Sequence, residues 1–146
     1  MNSVKHIFWD WNGTLLDDVD LCVSVTGGML REKHGIELSR QTYLKEFGFP
    51  VIDFYRTVGL ELKEHEYADV ANQWIQTYRE GLKEQGALHS GVIDTLVQLN
   101  ELGYQQSILS ACEKNLLEHA LEHYELTDHF QTIHGVSDNK ADGKAA

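Results

Sequence analysis

An apolar run that ends on a carboxylate and a tight turn constrains this chain more than any other feature. Val4 to Trp11 is rich in β-branched and aromatic residues and is closed by Asn12-Gly13. That composition predicts a buried strand. Its end carries Asp10, and open parallel sheets place their ligand sites at the carboxyl ends of their strands. Gly13 allows the backbone to turn sharply and bring N–H groups close to an anion, and Thr14 adds a hydroxyl. A carboxylate held in such a turn can bind Mg²⁺ or attack phosphorus.

The rest of the chain alternates in a readable order. Leu21, Cys22, Val25 and Met29 recur at helical spacing from about Asp18 to Gly35. Ser39 is placed to cap a helix through Phe47, and Val51 to Val58 forms another short one. Glu64 to Lys83 carries an apolar stripe of Val70, Ala71, Trp74, Ile75, Tyr78 and Leu82, read as core packing. Beyond it the pattern is helix (Ser90 to Leu102), strand (Tyr104 to Ser110), helix (Glu113 to Tyr124) and strand (Phe130 to Val136), followed by a polar tail. A terminal βαβ unit implies a parallel sheet with a right-handed crossover. Strand, helical block, then βαβ predicts an α/β core, residues 1–17 and 89–146, with a helical insertion at 18–88.

Composition removes several classes of function. The formal charge of −11 argues against nucleic-acid binding, which needs a basic face. No apolar run approaches membrane-spanning length, so no membrane partner is expected. Cys22 and Cys112 do not make a disulfide framework, which fits a reducing, cytoplasmic setting. His119 and His123 stand four apart as a conceivable metal pair, but Glu118, Glu122 and Glu125 around them mark a solvated face. Cys112 reads as a partly buried free thiol. Asp17, Asp18 and Asp20 read as helix N-terminal charges favoured by the dipole, with contact to substrate or metal as the alternative for one of them.

Asp10-Trp11-Asn12-Gly13-Thr14-Leu15 resembles the first motif, Asp-x-Asp-Gly-Thr-Leu, of the haloacid dehalogenase superfamily, in its phosphoglycolate-phosphatase-like branch. Ser110, closing Gln106 to Ser110, stands at the place of the second motif, and Lys144 at that of the third, with Lys140 as the alternative. The resemblance implies a Rossmann-like parallel-sheet core with an inserted helical cap over residues 18–88. It implies phosphoryl transfer from a small phosphorylated metabolite to Asp10, giving an aspartyl-phosphate. Asp10 and the Asn12 main-chain carbonyl would hold Mg²⁺. Gly13, Thr14, Ser110 and Ala111 would bind substrate together with Lys144, which would also offset charge at Asp10.

Two departures from the family pattern carry expectations. Asn12 stands where phosphatases of the family have a general acid–base Asp, and such help is worth roughly 10²–10⁴ in rate. No acidic pair follows Lys144 before Ala146, so the core is expected to be incomplete and its metal affinity weak. The alternative expectation is therefore a truncated, catalytically impaired protein or fragment that keeps only the fold and anion binding. In the family the strand after the third motif pairs beside the first. Without it the first strand has an open edge, which predicts a homo-oligomer or a covering partner segment.

Overall fold

A computed structural model of the chain describes residue 3 and residues 5–137. Among the described residues its main sheet has three strands: β1 (His6–Trp9), β4 (Gln105–Glu113) and β5 (Thr132–Val136), in the order β1-β4-β5. Both pairings are parallel, with His6 opposite Gln105 and Trp9 opposite Ile108 in one, and Ser107 opposite Thr132 in the other. Buried polar side chains stitch the strands together, as buried hydrogen-bonding groups must be paired. Gln106 accepts from Trp9 Nε1 (2.8 Å) and donates to the Leu96 carbonyl (2.9 Å). Ser107 Oγ lies 2.7 Å from His6 Nε2 and 2.8 Å from Thr132 Oγ1.

β1 is shorter than the apolar run predicts. It stops at Trp9 because Trp11 turns inward: its carbonyl accepts from the N–H groups of Thr14, Leu15 and Leu16, each at 3.1 Å, and its indole is 1% exposed. Burial of the ring and closure of the turn outweigh strand propensity there. In the opposite sense, β4 continues beyond Ser110 to Glu113, with a register slip between Leu109 and Glu113. β5 approaches this segment closely: a Cβ on Gly135 would lie 2.7 Å from the Cys112 carbonyl oxygen and 2.8 Å from Lys114 Cα.

The helical block comprises α1 (Val19–His34), α2 (Arg40–Glu46), α3 (Val51–Thr57) and α4 (Glu64–Gln85). Gly35 ends α1 at φ 63°, a left-handed cap conformation that glycine adopts without penalty. Ser39 Oγ accepts from Thr42 N at 3.0 Å at the start of α2. Glu66 accepts from the Lys63 N–H (2.7 Å) at the start of α4. The helices α1 and α4 pack closely, since a Cβ on Gly81 would sit 2.6 Å from Leu21 Cδ1.

A two-stranded antiparallel ribbon, β2 (Leu16–Asp17) with β3 (Ala87–Leu88), joins the chain where it enters and leaves the helical block. Two residues per strand are too few to leave a periodic signal. The remaining helices, α5 (Val92–Glu101) and α6 (Lys114–His123), follow the expected order, and a 3₁₀ turn at Thr127–His129 precedes β5. The polar tail from 138 onward lies outside the described residues. Among the described residues, no helix is long and apolar enough to cross a membrane. The architecture is mixed α/β, with a parallel sheet and an inserted set of helices.

Candidate active site

β1 delivers Asp10 to the rim of a cavity of about 330 Å³ that lies under the helical block. The Trp11-centred turn then brings Asn12 and Gly13 to the same cavity. Gly13 has φ 79°, in the left-handed region that favours glycine, so a side chain there would be strained. The Asp10 carboxylate accepts from its neighbour's amide, Trp11 N, at 2.9 Å, and Thr14 Oγ1 makes a looser approach at 3.5 Å. Both contacts fix the carboxylate against the turn.

The opposite wall holds a buried acid whose role sequence reading missed. Asp18 is 3% exposed and stands at the N-cap of α1, yet its side chain makes no capping bond. Its Oδ2 instead accepts from Asn12 Nδ2 at 3.0 Å, from the Tyr78 hydroxyl at 2.5 Å and from Cys22 Sγ at 3.5 Å. Trp74 stacks on Tyr78 with ring centroids 4.9 Å apart, and its indole N–H donates to Thr26 Oγ1 at 2.9 Å. Asp18 does stand at the N-terminus of α1, as read from the sequence, and three donors rather than a capping bond hold its carboxylate. Asp20 pairs with Arg40 at 3.0 Å, and Asp17 lies exposed on β2. The available signal was spacing, because Asp18 stands one helical turn before Cys22 on the inward stripe.

The other anticipated residues divide into three groups. Asp10, Asn12, Gly13 and Ala111 line the one cavity, and Thr14 sits beside Asp10. Ser110 is buried at the β4 end, where its Oγ accepts from Cys112 N at 3.0 Å, and it does not line that cavity. Lys144 and its alternative Lys140 lie outside the described residues. α6 is capped by Glu113, whose carboxylate accepts from Asn115 N and Leu116 N at 3.0 Å each. Glu113 therefore starts the helix from outside it and also lines the cavity. Among the described residues, no group of three or more His, Cys, Asp or Glu side chains is arranged to hold a metal.

Oxygen donors on the turn nevertheless suit a hard cation. The Asp10 carboxylate and the Asn12 main-chain carbonyl belong to one short segment. Mg²⁺ is commonly held by one or two carboxylates, substrate phosphate and retained water. In donor type these residues fit that ion.

Burial sets the titration behaviour of the thiols and phenols here. It pushes the Cys112 thiol up to about 12, with Glu113 adding to the rise. Burial likewise raises Cys22, Tyr43, Tyr55 and Tyr78, and the Asp18 carboxylate reinforces the shift at Cys22 and Tyr78. A thiol that stays protonated is a poor nucleophile, which leaves Cys112 as packing. An alkaline weakness follows. Unfolded, Cys112 ionises near its ordinary value of 9, whereas folded it keeps its proton to about 12. Unfolding between those values releases a proton, so stability is complete below the lower value and is lost as pH rises toward the upper one. Thermal midpoints should fall between about pH 8 and about pH 11, and the fall should shrink in Cys112→Ala. Equal midpoints at the two pH values would contradict this account.

Comparison with known proteins bears on the fold. The family model for haloacid dehalogenase-like hydrolases matches residues 7–143. No curated protein matches. Among solved structures, a haloacid dehalogenase-like hydrolase from Streptococcus pneumoniae superposes with TM-score 0.77 at 21% identity, covering 99% of this chain and 67% of its own. A protein described as a predicted phosphoglycolate phosphatase from Haemophilus somnus gives 0.77 at 20% identity, covering 94% and 65%. A protein described as a predicted phosphatase from Clostridium acetobutylicum gives 0.73 at 22% identity, covering 97% and 64%. The chain thus spans about two thirds of the length of these structures. At such identities the likeness speaks for the fold.

Proposed function

We propose that this chain, which belongs to the haloacid dehalogenase-like hydrolase family, hydrolyses small phosphomonoesters through an aspartyl-phosphate on Asp10. The observation that carries this reading is Asp10 itself: a carboxylate at the end of a parallel strand, fixed by the Trp11 amide, facing a cavity beneath helices. One Asp10 oxygen attacks phosphorus, the ester P–O bond breaks, and the departing oxygen takes a proton from solvent. Water then attacks the phosphorus of the aspartyl-phosphate and releases inorganic phosphate, restoring the carboxylate. The Gly13 and Thr14 segment and Ala111 orient the phosphoryl group, with Ser110 and Lys144 as its further ligands. Asp10 and the Asn12 carbonyl would hold Mg²⁺, which supplies charge neutralisation at the phosphoryl oxygens when bound. Residues 18–88 act as a cap that excludes water from the reacting atoms, over a core of 1–17 and 89–146. The reaction takes place in the cytoplasm.

Turnover of para-nitrophenyl phosphate with added Mg²⁺ tests this directly. Asp10→Asn should abolish it, because an amide oxygen is a far weaker nucleophile toward phosphorus. Equal rates in the two proteins would end the proposal. One observation favours a second reading, in which the protein binds a phosphorylated ligand without turning it over. Asn12 cannot donate a proton as an acid, and its amide is already committed to Asp18. Under that reading the unaltered protein shows no turnover above Asp10→Asn but binds inorganic phosphate.

The open edge of β1 supports self-association of the protein. Among the described residues β1 has a strand on one side only, and Phe8 on it is 58% exposed. Light scattering over rising concentration should show a growing mass, and Phe8→Lys should lower it. A constant monomer mass in both proteins would count against association.

A further inference from the structure

The cavity under the helical block has a composition that selects among phosphomonoesters. Its wall is built from aromatic rings, chiefly Tyr43, Phe47, Phe49, Phe54, Trp74 and Tyr78. Its charged lining residues are Asp10, Asp18 and Glu113, all acidic, and no Lys, Arg or His lines it among the described residues. Asp10 is assigned to the phosphoryl group. Asp18, held by Asn12 and Tyr78, and Glu113, whose carboxylate caps α6, add two further negative charges to the same lining. A carboxylate on the organic part would be stripped of water against aromatic walls in a cavity whose charged lining is acidic. A ring-sized apolar group would lose nothing on entering and would gain burial. A volume of about 330 Å³ falls at the small end of ligand pockets, large enough for one ring system. The rim is apolar too: Leu44 and Phe49 are each 52% exposed and both border the cavity. An entrance of this kind admits an apolar group from solvent.

From this we infer that the cavity takes an apolar, ring-sized organic group without negative charge, as the organic part of the phosphomonoester substrate. This inference rests on the phosphatase reading for the phosphoryl end only; the preference for the organic part belongs to the cavity alone.

Two matched pairs of probes separate those parts. The first is benzyl phosphate against its 4-carboxy derivative, which share a leaving-group chemistry and differ in charge. With Mg²⁺ and the full chain, kcat/KM should favour benzyl phosphate by at least about tenfold. The second pair is 2-naphthol against 6-hydroxy-2-naphthoate, measured by titration calorimetry without any phosphate present. The neutral probe should bind at least about tenfold more tightly. Leu44→Arg, at a half-exposed rim position, should fold normally and narrow both ratios by adding a cation to the entrance. Equal or reversed preference in the binding pair overturns the inference, whatever the turnover. Turnover of both phosphates at equal kcat/KM also overturns it while leaving the phosphatase reading intact. A preserved binding preference without turnover supports the cavity's selectivity and refutes the phosphatase reading.

Discussion

Asn12→Asp should raise phosphomonoester turnover by roughly 10²–10⁴-fold, the usual contribution of positioned acid–base catalysis. The unaltered side chain neither gives nor takes a proton at this step. Its Nδ2 donates to Asp18 Oδ2 at 3.0 Å, so a carboxyl in its place would face Asp18 at hydrogen-bond distance. Two carboxylates so close do not both ionise near neutral pH; they share a proton, and one titrates well above its ordinary range. The Tyr78 hydroxyl already donates to Asp18 Oδ2 at 2.5 Å, so Asp18 is supplied with a donor of its own. The retained proton therefore resides on the new carboxyl, which is the form a general acid requires. The sign follows: the gain in kcat should be full at low pH and should fade as pH rises through the raised value. A pH profile of kcat for both proteins checks this, and superimposable profiles would show that a missing acid does not limit turnover.

The second large effect concerns stability. Asp18→Ala should cost about 3 kcal/mol, because it leaves two well-formed donors without their acceptor and hydrogen bonds to charged groups contribute about 1.5–3 kcal/mol each. Asp18 is 3% exposed, so solvent does little to replace the lost partner at the Tyr78 hydroxyl. At this chain length such a loss lowers the thermal midpoint by roughly 6–12 °C. Tyr78→Phe removes only one of the donors and should cost less. The double variant should cost less than the sum of the two single changes, since both act on one bond. Strict additivity, or an Asp18→Ala midpoint within about 1 °C of the unaltered protein, would remove Asp18 from its role as the hub of this wall.

Much of the architecture was legible because burial writes a period into the chain. The stripe from Leu21 to Met29 and that from Val70 to Leu82 marked α1 and α4, and Gly35 and Ser39 marked an end and a start. The parallel order of β1, β4 and β5 follows from strands joined through helices rather than through tight turns. What escaped were features set by long-range contact. The β2–β3 ribbon pairs residues some seventy positions apart and is too short for any pattern. The shortness of β1 depends on where the Trp11 ring is buried. At the site, Asp10, Asn12 and Gly13 were legible because they are neighbours in one turn. Asp18 reads from the sequence as a helix N-terminal charge, and its bonds to Asn12 and Tyr78 leave no local signal because those partners belong to different elements. Glu113 reads as the first helical residue, whereas its side chain reaches forward to cap α6 and its position borders the cavity.

Gly81 carries a consequence for how such a protein can change its diet. It does not line the cavity, yet it lets α4 approach α1 within the distance at which an added methyl would strike Leu21. The two helices supply adjoining parts of the cavity wall, Asp18, Cys22 and Thr26 from the α1 side and Tyr67, Ala71, Trp74 and Tyr78 from α4, joined by the Tyr78–Asp18 and Trp74–Thr26 hydrogen bonds. A larger residue at 81 must displace the Leu21 side chain packed behind this wall. Under the proposed function, a change at 81 thus reaches the surroundings of the substrate through packing alone, at a distance from Asp10.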